Sequence, residues 1–459
     1  MPAVEEYGIE PIPAELRTVG WRDLFAINFT FFVNPVMYVL GALAVVDGGL
    51  PLPWAVAAMV LGQALAYAIL VVVAQPGVDD GLPGQVAMRA SLGYWGARLL
   101  SSPYRIVAAT YWFAAQALTA ALGFQAIMLV LTGTRYPLVP VALALAVFHA
   151  LLAVLGFDVT RYLLRIVLPV SLLFTALLVG LFLTSDDPAY ALGRVLDSPD
   201  QSLTWVGFAT YVTVMCGASL TLVTSVADYC RYTPTRRDMR IGYAGSAIAA
   251  AAVTTFVGGY AAAATGEVNP FVAVAGVTSV SVLLVVMLAA IVVQGIAANV
   301  TNTYTAGLSL VNAVPTLGRV RATVVVAVLA VALSAFPDMI ERAQDWITHL
   351  GNLGAPLAGV VLADYAIVQR MRIDVPALFD PRGRYAYVRG VNLAAVAAVA
   401  VGVAIYYGVP DAWVKVAFGV GAGAIAYLAL VAVKQRAIGS RGRPLTGPRP
   451  RGRGVRDAG

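Results

Sequence analysis

Leu353-Gly-Ala-Pro-Leu-Ala-Gly-Val-Val-Leu-Ala-Asp364-Tyr365, followed after an arginine-bearing turn by Gly383-Arg-Tyr-Ala-Tyr-Val-Arg389-Gly-Val-Asn392, sets the pattern of the whole chain. It describes a helix of small apolar residues that ends in Ala-Asp-Tyr. A short polar loop follows, and Arg-Gly-Val-Asn opens the next apolar run. The same alternation extends in both directions from this point.

The chain is 60% apolar and only 12% charged, with a mean hydropathy of +0.81. Soluble domains carry about a quarter charged residues, so an ordinary globular protein is excluded. Apolar runs of roughly 20 residues, enough to cross a bilayer, recur along almost the whole sequence. In lipid the backbone must satisfy its own hydrogen bonds, which makes these runs helices. The alternating ten-residue strands of a barrel are absent from the pattern. Twelve spans are predicted, at 24–46, 53–74, 99–131, 137–155, 160–184, 203–227, 240–265, 278–312, 320–336, 346–369, 388–408 and 412–433. The expected organisation is a cytoplasmic segment 1–23, an all-α integral membrane domain 24–433 and a disordered basic tail 434–459.

A cytoplasmic N-terminus leaves only Arg135, Arg194, Arg342 and Lys415, of the 30 Lys and Arg, on the outer side. That bias predicts both termini in the cytoplasm, in a plasma membrane of bacterial inner-membrane type. Glu5, Glu6, Glu10 and Glu15 replace the basic start of a signal peptide, so the first span is expected to be retained. The basic tail either touches anionic lipid or simply follows the positive-inside bias. Cys216 and Cys230 give neither a disulfide framework nor a metal spacing. An intramembrane enzyme would need a nucleophile with its base, or a metal set, at membrane depth. His149 and His349, the two histidines, fall near span ends and do not supply one. The charge rings or filter loop of a channel are also missing.

Interruptions in the spans point towards transport. Asn34-Pro35 sits in the middle third of the first span, where proline removes a backbone donor and clashes with the preceding turn. Cys216-Gly217-Ala218-Ser219 gives the sixth span no bulky side chain at mid-depth. Unwound backbone in the first helix of each half is how repeat-built transporters expose carbonyls and amides; a tolerated kink is the simpler alternative. Polar side chains at this depth must face a cavity or another helix. Trp112 and Gln116, four residues apart, share a helical face. An indole there can stack on a flat heterocycle while the amide offers a donor and an acceptor; packing plus an interhelical bond is the other reading. Asn299, Thr301, Asn302 and Thr303 demand a polar cavity or a tight seam in the eighth span, with Asn302 or Thr303 as a hydrogen-bonding arm and Asn299 as interhelical glue. Asp228 and Asp364, at helix ends near Arg231 and Arg370, read as gating or stabilising pairs.

Taken together, the motifs resemble nucleobase–cation symporter family 1, the purine–cytosine permease and hydantoin transporter family. Gly8-Ile-Glu-Pro-Ile-Pro13 with Arg17 is similar to its N-terminal signature, Trp112-Phe-Ala-Ala-Gln116 to its Trp-Phe-x-x-Gln, and Gly266-Glu-Val-Asn-Pro270 to its Gly-Glu-x-Asn-Pro turn; the stretch quoted first completes the set. The resemblance implies a leucine-transporter-type fold with a 5+5 inverted repeat plus two C-terminal spans. Spans 1, 2, 6 and 7 would form a bundle and spans 3, 4, 8 and 9 a scaffold. It also implies secondary active import of a nucleobase or related planar heterocycle, cytosine or a purine first. Allantoin, hydantoin, hydroxymethylpyrimidine or another thiamine precursor, and uncoupled uniport, are the alternatives.

Carried over by position, the substrate residues are Asn34, Trp112, Gln116, Ala218, Ser219, and Asn302 or Thr303. Ser219 stands where family members place an aromatic, so a second wall is sought from Phe208, Tyr211 or Tyr304. The family's cation site maps to backbone oxygens of Thr30 and Val33 and to Ala297 and Ala298, which replace a hydroxyl pair. Methyl groups cannot ligate a hard cation, so proton coupling is expected over sodium unless Thr30 or Thr301 compensates. Beyond that coupling ion no cofactor or metal is expected. The predicted partners are a small heterocycle and the lipid bilayer, with no nucleic acid and no signal of oligomeric state.

Overall fold

The computed structural model describes residues 8–154, 157–197 and 201–439. Asn34 takes an extended conformation and its side-chain oxygen accepts from the Met37 amide at 2.9 Å, capping a helix that Pro35 begins. An asparagine cap followed by proline satisfies one orphan amide and removes another. The first span is therefore two helices, α1 (Trp21–Phe32) and α2 (Pro35–Val46), bent by 59°. Asn34 Nδ2 also donates to the Phe31 carbonyl at 2.6 Å, so one side chain closes both ends of the break.

The long helices that follow are α3 (Leu52–Val73), α4 (Ser102–Thr132), α5 (Leu138–Ala153), α6 (Phe157–Leu183) and α7 (Trp205–Leu220). They continue as α8 (Ser246–Thr265), α9 (Ser281–Ala313), α10 (Gly318–Leu333), α11 (Ala343–Ala363), α12 (Leu393–Gly408) and α13 (Lys415–Gly439). Gly133 and Gly266 end α4 and α8 in the left-handed conformation, at φ 67° and 76°, which only glycine adopts freely. At about 1.5 Å per residue, α4 and α9 exceed the roughly 30 Å of hydrocarbon and must tilt or project. Among the described residues eight helices are long and apolar enough to cross a membrane, and the bent pair makes a ninth. The shorter apolar helices 138–153, 205–220 and 393–408 occupy the remaining expected positions. No strand forms among the described residues, only an isolated bridge between Val388 and Val391.

Helix packing separates into two groups. The α1/α2 pair, α3, α7 and α8 contact one another, while α4, α5, α9 and α10 form a second body. These are the bundle and scaffold that the resemblance implies. Within the bundle α8 presses onto α2 so closely that a Cβ on Gly258 would lie 1.8 Å from the Tyr38 carbonyl oxygen. Leu151, Leu173, Val282, Val328 and Ile425 stay exposed on the outside, as lipid-facing side chains do.

Three expectations need correction. The sixth span is not unwound at Cys216–Ser219. α7 runs helically to Leu220, and the irregular segment is 221–226, where amides of Thr221, Leu222, Val223 and Ser225 bond carbonyls three residues back. Gly217 instead lets α7 meet α11, since its Cβ would stand 3.4 Å from Gly351 Cα. Asp364 does not pair with Arg370: its carboxylate accepts from Ser91 at 2.8 Å and Tyr427 at 2.6 Å. The backbone stays helical to Gly439, beyond the start of the expected tail at 434; residues 440–459 lie outside the described residues.

Because Asn34 closes both sides of the break, Asn34→Ala is expected to cost about 1 kcal/mol of stability, read as a lowered melting temperature in detergent. An unshifted transition would mean that the α2 cap is not what holds the break.

Candidate functional site

The two interruptions face one cavity. Phe31, Phe32, Asn34 and Met37 line it from the α1–α2 break, and Ala218, Thr221 and Leu222 from the end of α7. Trp112 and Gln116 of α4 and Ala298 and Asn302 of α9 supply the scaffold side. It is narrow in this conformation, with about 10 Å³ of room, close to a single water.

Local structure fixes what each residue can do. Trp112 is buried, with its ring edge-on to Tyr111 and its indole N–H donating to Thr221 Oγ1 at 3.2 Å. The Thr221 hydroxyl in turn donates to the Ala218 carbonyl at 2.6 Å, so the indole is locked to the sixth-span break. Gln116 Oε1 accepts from the Val36 amide at 3.3 Å, a second cap on the start of α2. Its side chain also lines the cavity. Asn302 Oδ1 accepts from Arg105 Nη2 at 2.8 Å, and its side chain lines the cavity. The cavity is thus lined by an indole, two phenyl rings at the break and two side-chain amides.

Five expected substrate positions line this space: Asn34, Trp112, Gln116, Ala218 and Asn302. Ser219 does not; it is buried and its hydroxyl donates to Gln63 Oε1 of α3. Thr303 does not either, because its hydroxyl turns back to the Asn299 carbonyl at 2.8 Å. Asn299 performs the expected interhelical role, its Nδ2 2.9 Å from His149 Nδ1 of α5.

Phe208 stacks with Trp205, Tyr211 donates to Asp47 and Tyr304 lies against Tyr229, and none of the three lines this cavity. The aromatic rings that line it besides Trp112 are Phe31 and Phe32, directly before Asn34-Pro35. Arg105 was missed as well: a fully buried guanidinium inside α4, among spans that read as almost free of ionisable groups.

At the expected cation position Ala297 and Ala298 are fully buried methyl groups, and Ala298 reaches the cavity. The Thr30 hydroxyl donates to the Ala26 carbonyl at 2.6 Å and lies 3.1 Å from that of Ile27, so its proton is spent within α1. The Thr301 hydroxyl is buried without a partner and faces a separate space. Among the described residues no cluster of His, Cys, Asp or Glu could hold a metal ion.

Comparison with known proteins gives one answer. A family described as permeases for cytosine/purines, uracil, thiamine and allantoin matches residues 11–430. A hydantoin permease of Microbacterium maritypicum is 25% identical, over 86% of this chain and 82% of that protein. An allantoin permease of Bacillus subtilis is 26% identical, over 86% and 85% respectively. A purine-uracil permease of Arabidopsis thaliana is 25% identical, over 88% of this chain and 71% of its own length. Among solved structures, Mhp1, a nucleobase-cation-symport-1 family transporter closed around bromovinylhydantoin, superposes with a TM-score of 0.79 at 21% identity. The match covers 95% of this chain and 97% of that one. A sodium-coupled sialic acid symporter shares the fold more distantly, with a TM-score of 0.61 at 11% identity over 92% and 91%.

Proposed function

We propose that this chain, which belongs to the family of permeases for cytosine/purines, uracil, thiamine and allantoin, imports a planar nitrogen heterocycle by alternating access. Cytosine or a purine is the first candidate. As a member of that family it is a multi-pass membrane transporter and not an enzyme. The observation that carries the substrate reading is the cavity between the broken first span and α4. An indole and two side-chain amides, of Gln116 and Asn302, meet there. A ring with a carbonyl or unprotonated ring nitrogen supplies acceptors for the amide N–H groups. The names of the two bacterial relatives favour a hydantoin or allantoin as the second reading. The arginine bias favours cytoplasmic termini, in a bacterial inner membrane.

A proton is the proposed coupled cation. Sodium needs a cage of oxygens, and the cage position that the resemblance implies carries the buried methyl groups of Ala297 and Ala298. Uptake of radiolabelled cytosine, uracil, allantoin and hydantoin into proteoliposomes tests both parts. The expected result is accumulation of at least one ring, little changed when choline replaces sodium and raised by an inward proton gradient. Uptake that collapses in choline and ignores the pH step would reassign the ion to sodium. No uptake of any of the four would refute the substrate class.

A further inference from the structure

We propose a second ring-binding station next to the central cavity, built on Arg105 and Thr301, through which the substrate passes on the side of the α1 N-terminus. This rests on the transport reading above. A separate void lies there, with about 10 Å³ of room, close to a single water until its walls move, and Phe31 and Leu222 line both it and the central cavity. Those two side chains are therefore the partition, and a swing of Phe31 joins the compartments.

The new space holds two orphan polar groups. Arg105 is completely buried; its Nε and Nη2 are held by Thr305 Oγ1 and Asn302 Oδ1 at 2.8–3.1 Å, while Nη1 has no acceptor. Thr301 Oγ1 is buried and unpartnered in the same wall. Buried polar groups are almost always paired, and a guanidinium N–H without an acceptor is among the costliest exceptions. A carbonyl accepting from Nη1 and a ring N–H donating to Thr301 would satisfy both. The aromatic rings of Phe31, Tyr229 and Tyr243 border the space and suit a flat ligand. The ligand class is therefore a planar ring with C=O beside N–H, the edge shared by uracil, the hydantoins and the oxopurines. Arg105 lies seven residues before Trp112 on α4, about 10 Å along the axis, roughly one ring's travel. The fork that binds Asn302 ties this station to the central cavity, because the same guanidinium orients a donor there.

The test compares equilibrium binding with uptake, using whichever of radiolabelled cytosine, uracil, allantoin or hydantoin the wild type carries. Thr301→Val removes a hydroxyl that bonds nothing in the protein, so folding and central binding should persist within about twofold. Uptake should fall roughly tenfold, equally in choline and in sodium, which separates this role from cation binding. Arg105→Lys keeps the charge but loses the fork and should slow uptake at least as much. A structure with 5-bromouracil should show bromine density in both compartments. Wild-type uptake by Thr301→Val overturns the station, as does a parallel loss of binding and uptake in that variant, or density in the second space from water only. A wild type that binds none of the four rings overturns the transport reading itself, and the station with it.

Discussion

Trp112→Ala is expected to lower the apparent affinity for the proposed ring substrate about ten- to a hundredfold while the protein still reaches the membrane. Base–aromatic stacking is worth roughly 1–3 kcal/mol by alanine substitution, and Trp112 offers the only indole face among the residues lining the cavity. The indole N–H also holds Thr221 at the sixth-span break, so the truncation removes a wall and loosens its support together. Trp112→Phe keeps a stacking face and should recover most of the affinity while losing the bond to Thr221. Competition binding on purified protein measures both variants. Unchanged affinity in Trp112→Ala would put the ring somewhere else.

The largest effect on stability is expected at Gly258. An alanine Cβ there would sit 1.8 Å from the Tyr38 carbonyl oxygen, which is backbone and cannot rotate away. Helices α2 and α8 would have to separate, and Gly41, whose own Cβ would lie 2.5 Å from Thr255 Cα, leaves no slack in the same seam. Overpacking of this kind costs about 1–3 kcal/mol and occasionally more, so Gly258→Ala should fall at the upper end, near 3 kcal/mol. Gly276→Ala is the control, because a Cβ there meets nothing within 4 Å. Thermal unfolding in detergent should shift strongly for the first and barely for the second. Equal shifts would mean that the α2–α8 contact does not limit stability.

The sequence carried the membrane class, the break at Asn34-Pro35 and the shared face of Trp112 and Gln116, because each rests on a local rule. Proline must interrupt hydrogen bonding, and four residues return to the same side of a helix. The second break was misplaced because small residues permit unwinding without forcing it. Gly217 was spent on a helix contact with Gly351, and the chain unwound only at 221–226. Ser219 and Thr303 failed for a related reason: hydroxyls find partners on a neighbouring helix or one turn back along their own, and spacing does not say which. Arg105 escaped notice because a single cation near the start of a span looks like an interfacial residue. Only packing shows it fully buried between Thr305 and Asn302.

A planar ring is proposed to bind in the cavity bounded by Trp112, Gln116, Asn34 and Asn302. A structure determined with 5-bromouracil or a brominated hydantoin, whichever the protein binds, decides this. Ring density is expected stacked at about 4 Å from the Trp112 indole, with ring acceptors facing the Gln116 and Asn302 amides. Bromine density confined to a site that touches neither Trp112 nor Gln116 would contradict it.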